Sequence, residues 1–164
     1  MVQLRRMLGV LRENEDPPGA PREPQPALAA LPGLVERVRG SGPAVSYEVT
    51  GAPRPPGLAV EAIVYRIVQE ALTNVVRHAG ATAVRVRLDH GPAGLTLTVT
   101  DDGRGPAGGS GLGLTGIRER AAAHGGTART GPGPDGRGFQ VLVTIPHPRS
   151  QPRPEPEQEA GVGS

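Results

Sequence analysis

The sequence predicts an α+β fold on three observations. A long amphipathic helix carries an unbroken apolar stripe, two strictly alternating segments follow it, and a glycine-dense loop then leads through a second helix into two more strands. The 164 residues include 25 Gly and 19 Pro, a content that usually goes with irregular chains. The prolines are unevenly placed, however, and none falls between Leu58 and Gly91. Aromatic residues make up only 2%, so the core has to be built from Val, Leu, Ile and Ala.

Residues 1–14 (MVQLRRMLGVLREN) place Val2, Leu4, Met7, Leu8 and Leu11 on one stripe of an amphipathic helix with nothing local to pack against. The Pro- and Gly-rich residues 15–27 read as a linker. Within 28–39 (LAALPGLVERVR) a short helix is expected after Pro32, and AVSYEV at 44–49 alternates like an edge strand. From Val60 the apolar residues Ile63, Val64, Ile67, Val68, Ala71, Leu72, Val75, Val76 and Ala79 step by three and one, a helix with one buried face that Gly80 ends. AVRVRLD (83–89) and LTLTVTD (95–101) form an antiparallel hairpin. The loop DDGRGPAGGSGLGL leads into helical TGIRERAAAH, closed by Gly125 and Gly126, and TARTG and GFQVLVTIP complete the strands. Residues 147–164, rich in Pro and Glu, are expected to be a disordered tail.

Composition narrows the function. A formal charge of +2 and scarce aromatics argue against a nucleic-acid module, and all 18 basic residues are Arg. The absence of cysteine removes disulfides, thiolate metal sites and a Cys nucleophile. Apolar runs fall short of the ~20 residues of a membrane span, and no signal peptide opens the chain, so a soluble, cytoplasmic chain without membrane contact is expected.

Three local features carry chemistry. Glu70 and Asn74 lie four apart on one helix face, with Arg77 and His78 further along it. Asn is a poor mid-helix residue, and a carboxamide beside a carboxylate offers the hard oxygens that Mg²⁺ takes together with phosphates. Asp101-Asp102-Gly103-Arg104-Gly105 follows a strand, where glycines admit a ligand close to the backbone. Gly111-Leu112-Gly113-Leu114-Thr115-Gly116 opens a helix, whose free N–H groups favour an anion. A Rossmann reading of that glycine pattern fails because a hairpin precedes it, and a Walker A reading fails because the chain has no Lys. Each feature alone is ordinary: a solvated helix side, a turn, a loop.

Together, QEALTNVVRHA, DDGRG and GLGLTGIRER resemble the asparagine box and the two glycine boxes of the ATP-binding catalytic domain of sensor histidine kinases. That domain sits within the gyrase, chaperone, kinase and mismatch-repair ATPase superfamily. The likeness spans Leu58 to Pro146. IRERAAAHGG followed by GFQVLVTIP is similar to the branch that pairs with LuxR-type response regulators, and QLRRMLGVLR looks like the end of that branch's dimerisation and phosphoacceptor helix.

The resemblance implies a Bergerat-type two-layer α/β sandwich, a mixed sheet packed by helices with a flexible ATP lid, binding ATP and Mg²⁺. By the same resemblance Asn74 is the Mg²⁺ ligand, Glu70 acts on the metal's water shell, and Arg77 and His78 contact phosphate. Asp101 accepts from the adenine amino group, and Gly103 and Gly105 admit the base. Gly111 and Gly113 hinge the lid that closes over the phosphates, and with Leu112 and Leu114 they count among the nucleotide-binding residues. The pattern departs where Phe139 follows Gly138, a place at which relatives often carry Thr, and an apolar wall is expected there instead.

The implied organisation is 1–14 as the end of a dimerisation and phosphoacceptor helix, 15–27 as linker, 28–146 as ATP-binding domain and 147–164 as tail. None of His78, His90, His124 and His147 sits in a helical His-acid context, so the phosphoacceptor histidine is expected outside the chain. Expected partners are that acceptor domain, a response regulator and, in a full-length kinase, a second copy forming a homodimer. The alternatives are a stand-alone anti-sigma serine kinase and a non-catalytic ATP-binding remnant.

Overall fold

The computed structural model describes residues 27–105 and 111–147. The expected helix over 1–14, nearly all of the linker, lid residues Gly108, Gly109 and Ser110, and the tail after His147 lie outside them. A 3₁₀ turn, Leu28–Ala30, leads into α1 (Leu31–Arg39) and β1 (Ala44–Gly51). Then come α2 (Leu58–Asn74) with a π-helical extension (Val75–Ala79), and the strands β2 (Ala83–His90) and β3 (Gly94–Asp101). The chain closes with α3 (Gly111–Ala122), β4 (Thr127–Gly131) and β5 (Phe139–Pro146).

The five strands form one mixed sheet in the order β1-β2-β3-β5-β4. β1 pairs with β2 in parallel and every other neighbour is antiparallel. A parallel pair needs a long crossover, and α2 supplies it. Alternation then divides the sheet. Val84, Val86 and Leu88 of β2, Leu95, Leu97 and Val99 of β3, and Val141, Val143 and Ile145 of β5 are all buried. The intervening Arg85 and Arg87 are exposed, and Thr96, Thr98 and Thr100 are half-buried. One face therefore takes the helices and the other stays open, which makes the α+β two-layer sandwich that the sequence predicts.

α1 buries Leu31, Leu34, Val35 and Val38, one stripe at helical spacing, and starts one residue before Pro32 rather than after it. Its last residue, Arg39, donates from Nε to the Val45 carbonyl at 2.9 Å, fixing the helix end to the edge strand. α2 buries Val60, Val64, Ile67, Val68, Ala71 and Leu72 as its stripe requires, and adds Tyr65, Gln69 and Thr73 on a neighbouring row. Tyr65 is buried because α1 lies over it: its hydroxyl accepts from Arg37 Nη2 at 3.1 Å. The Thr73 hydroxyl turns back to the Gln69 carbonyl at 2.8 Å, so burial leaves it paired. α3 starts at Gly111, ahead of the expected helical TGIRERAAAH, and buries Ile117 and Ala121 with Leu114 packed against the core.

Candidate functional site

Two groups of residues gather at one end of the sandwich, where α2 ends and β3 ends. Gly80, in a left-handed conformation, terminates the helix, and the chain reaches Ala83 two residues after Ala81. Ala83 starts β2 beside the close of β3, since the next residue, Val84, pairs with Asp101. The topology thus brings the helix end that carries Asn74 to the strand end that carries Asp101.

The first group lies between α2 and α3. A Cβ built on Gly113 would overlap Glu70 Oε1 and sit 3.4 Å from Asn74 Nδ2. The opening turn of α3 therefore rests directly on the Glu70 and Asn74 side chains, and any larger residue at 113 has to displace the Glu70 carboxylate. Gly111 and Gly113 both belong to that turn, with Leu112 between them, and Leu114 is half-buried against the core. Among the described residues no three His, Cys, Asp or Glu side chains gather, so a metal held here needs other ligands as well.

The spacing of Glu70, Asn74, Arg77 and His78 presumes an α-helix throughout. The helix instead widens to π geometry from Val75 to Ala79, so residues past Asn74 lose the α-helical phase. Arg77 is exposed, and among the described residues it makes no hydrogen bond or ion pair. A π turn inside an α-helix is rare and frequently marks a functional site.

The second group is built on Asp101. Alternation puts Asp101 in phase with Leu95, Leu97 and Val99, on the helix-packed face, and it is only 7% exposed. In cross-strand register it stands between Val84 and Phe139, a carboxylate where the stripe calls for an apolar residue. The Gly103 N–H donates to its Oδ1 at 2.8 Å, and the Phe139 N–H also reaches the carboxylate. Burial raises its pKa above the usual carboxylate value, opposed by the Gly103 bond and reinforced by the charge of Asp102. The folded state therefore carries a cost for ionised Asp101 at neutral pH, released as pH falls through the raised pKa.

Gly138 closes this end of the sheet. Its φ is +66°, and a Cβ there would collide with the Asp101 carbonyl, so only glycine fits. With Gly103, Gly105 and Phe139 it lines a cleft of about 640 Å³. Phe139 is partly buried against the core and lines the same cleft. Asp102, the neighbour of Asp101, also borders this cleft, and its carboxylate binds the α2–β2 connection, a role that the sequence does not announce.

Among the described residues no helix is long and apolar enough to cross a membrane. Residues 59–149 match the family described as histidine kinase-, DNA gyrase B- and HSP90-like ATPase. Over 105 residues, 61% of this chain and 25% of the relative, the sequence is 41% identical to the sensor histidine kinase YxjM of Bacillus subtilis. The chain spans about a quarter of the length of the curated relatives it matches. The fold is similar to the histidine kinase domain of the Erythrobacter litoralis EL346 blue-light activated histidine kinase, with a TM-score of 0.57 and 23% identity, covering 89% of this chain and 74% of that one. It is also similar to the ATP-binding domain of PrrB from Mycobacterium tuberculosis, with a TM-score of 0.53 and 26% identity, covering 72% and 94% of the two chains.

Proposed function

The chain belongs to the histidine kinase-, DNA gyrase B- and HSP90-like ATPase family, and from that premise we propose that it is the ATP-binding catalytic part of a two-component sensor histidine kinase. The observation that carries the reading is Asp101, a buried carboxylate set into the apolar stripe of β3 and bonded to Gly103, whose loop lines a cleft with Gly105, Gly138 and Phe139. A carboxylate that accepts from the Gly103 N–H keeps lone pairs for a further donor, and the adenine amino group is one. Gly103 and Gly105 leave room for the base, with Phe139 as its apolar wall.

The triphosphate then extends toward Glu70 and Asn74, beneath the first turn of α3. Asn74 would hold Mg²⁺ through its carboxamide oxygen, and Glu70 would orient water around it. The metal, when bound, neutralises charge on the phosphates. The N-terminal turn of α3, from Gly111 to Leu114, presents backbone N–H groups to the same end, and Arg77 and His78 lie close enough along the chain to add phosphate contacts. In the transfer itself the bond from the γ-phosphorus to the β–γ bridging oxygen breaks, a bond to an imidazole nitrogen of the acceptor forms, and ADP leaves. His90 lies at a strand end, His124 and His147 lie outside the helices, and His78, though within the π-helical extension, is followed by Ala79 rather than an acid, so none offers the helical His-acid acceptor that the reaction takes. The acceptor and dimerisation domain, a response regulator and a cytoplasmic setting follow from this reading.

The test is transfer in trans. With labelled ATP and Mg²⁺, the chain should leave itself unlabelled and slowly label a separately made phosphoacceptor domain from a LuxR-pairing kinase, the phosphate being acid-labile. Slowness follows from losing the effective concentration that a tether provides. Strong self-labelling, or acid-stable phosphate on serine, would count against the reading.

A further inference from the structure

Asp102 has no part in the nucleotide contacts above, yet it is one of the best-bonded side chains at this end of the molecule. Its Oδ1 accepts the backbone N–H groups of Thr82 and Ala83, each at 2.9 Å, and its Oδ2 accepts the Thr82 hydroxyl at 2.6 Å. Its own backbone N–H donates to the Ala83 carbonyl at 3.2 Å. These bonds span 19 or 20 residues of sequence and join two segments that the proposed nucleotide site needs in fixed relation. On one side is the short connection Gly80-Ala81-Thr82 that hangs from the helix carrying Glu70 and Asn74. On the other is the strand end carrying Asp101.

We propose that Asp102, through its clamp on Thr82 and Ala83, is a positioning residue that sets the separation between the phosphate end of the site at Asn74 and the base end at Asp101. The proposal rests on the ATP-binding reading. Adjacent carboxylates are thereby divided between two tasks, one buried toward the ligand and one exposed and tied to backbone. The hydrogen bonds from the Thr82 hydroxyl and then from the Ala83 N–H hold the Asp102 pKa below the usual carboxylate value, as expected of an acceptor kept ionised. A ligand that bridges both ends gains from their fixed spacing, whereas a ligand that occupies one end does not.

That difference supplies the experiment. Affinities of ATP, adenosine and inorganic triphosphate are measured with Mg²⁺ on the wild-type chain, on Asp102→Ala and on Thr82→Val, alongside thermal melting. In Asp102→Ala, ATP should weaken roughly tenfold while adenosine and triphosphate each stay within about twofold. Thr82→Val removes only the hydroxyl arm of the clamp, keeps the backbone bonds and should give a smaller loss of the same selective kind. A fall of all three ligands in step with the melting temperature would make Asp102 merely structural, and unchanged ATP affinity in both variants would also overturn the proposal. Failure of the wild-type chain to bind any of the three would instead reject the ATP-binding reading, and the positioning role with it.

Discussion

Replacing Asp101 by Ala should weaken ATP binding by about 10-fold to 150-fold, the range expected from losing a hydrogen bond to a charged acceptor worth about 1.5–3 kcal/mol. GTP should change far less, because guanine presents a carbonyl where adenine presents its amino group. Alanine also leaves the half-buried Gly103 N–H without its acceptor, so part of its effect will appear as lost stability. Asp101→Asn separates the two effects. Its remaining oxygen can keep the Gly103 bond, while its amide presents a donor to the adenine amino group. The Asn variant should therefore melt close to wild type and still lose ATP. Wild-type ATP affinity in Asp101→Asn would reduce the Asp101 loop to a turn.

The second large effect is expected at Asn74. Asn74→Ala should remove the Mg²⁺-dependent share of ATP affinity and slow transfer to an acceptor by on the order of 100-fold or more, the usual scale for losing a group that stabilises developing charge. Stability should move the other way. Asn74 is the last α-helical residue of α2, off the buried stripe, and Ala is the better helix former by up to about 0.7 kcal/mol. Activity lost with melting temperature held or raised is the signature of a residue retained for chemistry. A large drop in melting temperature would mark Asn74 as structural.

Much of this architecture is legible in the sequence because its signals are local. The stripe of α2, the alternation of β2 and β3 and the apolar pattern of β5 are periodicities that burial enforces directly. The same alternation identifies Asp101, since LTLTVTD carries its phase onto a carboxylate. Contacts between distant residues are not legible in this way. The parallel pairing of β1 with β2 depends on a 31-residue connection, residues 52–82, and nothing in AVSYEV announces its direction. The seating of Gly113 on Glu70 and Asn74, and the clamp of Asp102 on Thr82, exist only after the chain has folded back. The π turn after Asn74 is hidden for another reason: periodicity arguments assume 3.6 residues per turn, and VVRHA fits that period well enough to mask the change.

The most direct measurement of the central claim, that ATP and Mg²⁺ bind between α2 and the end of β3, is a calorimetric titration of the wild-type chain. ATP is titrated in excess Mg²⁺ and again in EDTA, with GTP in Mg²⁺ as the third arm. The account predicts saturable ATP binding in Mg²⁺, affinity lowered by at least about tenfold in EDTA, and GTP weaker than ATP by a similar factor or more. Equal heats and affinities with and without Mg²⁺, or equal binding of ATP and GTP, would contradict it.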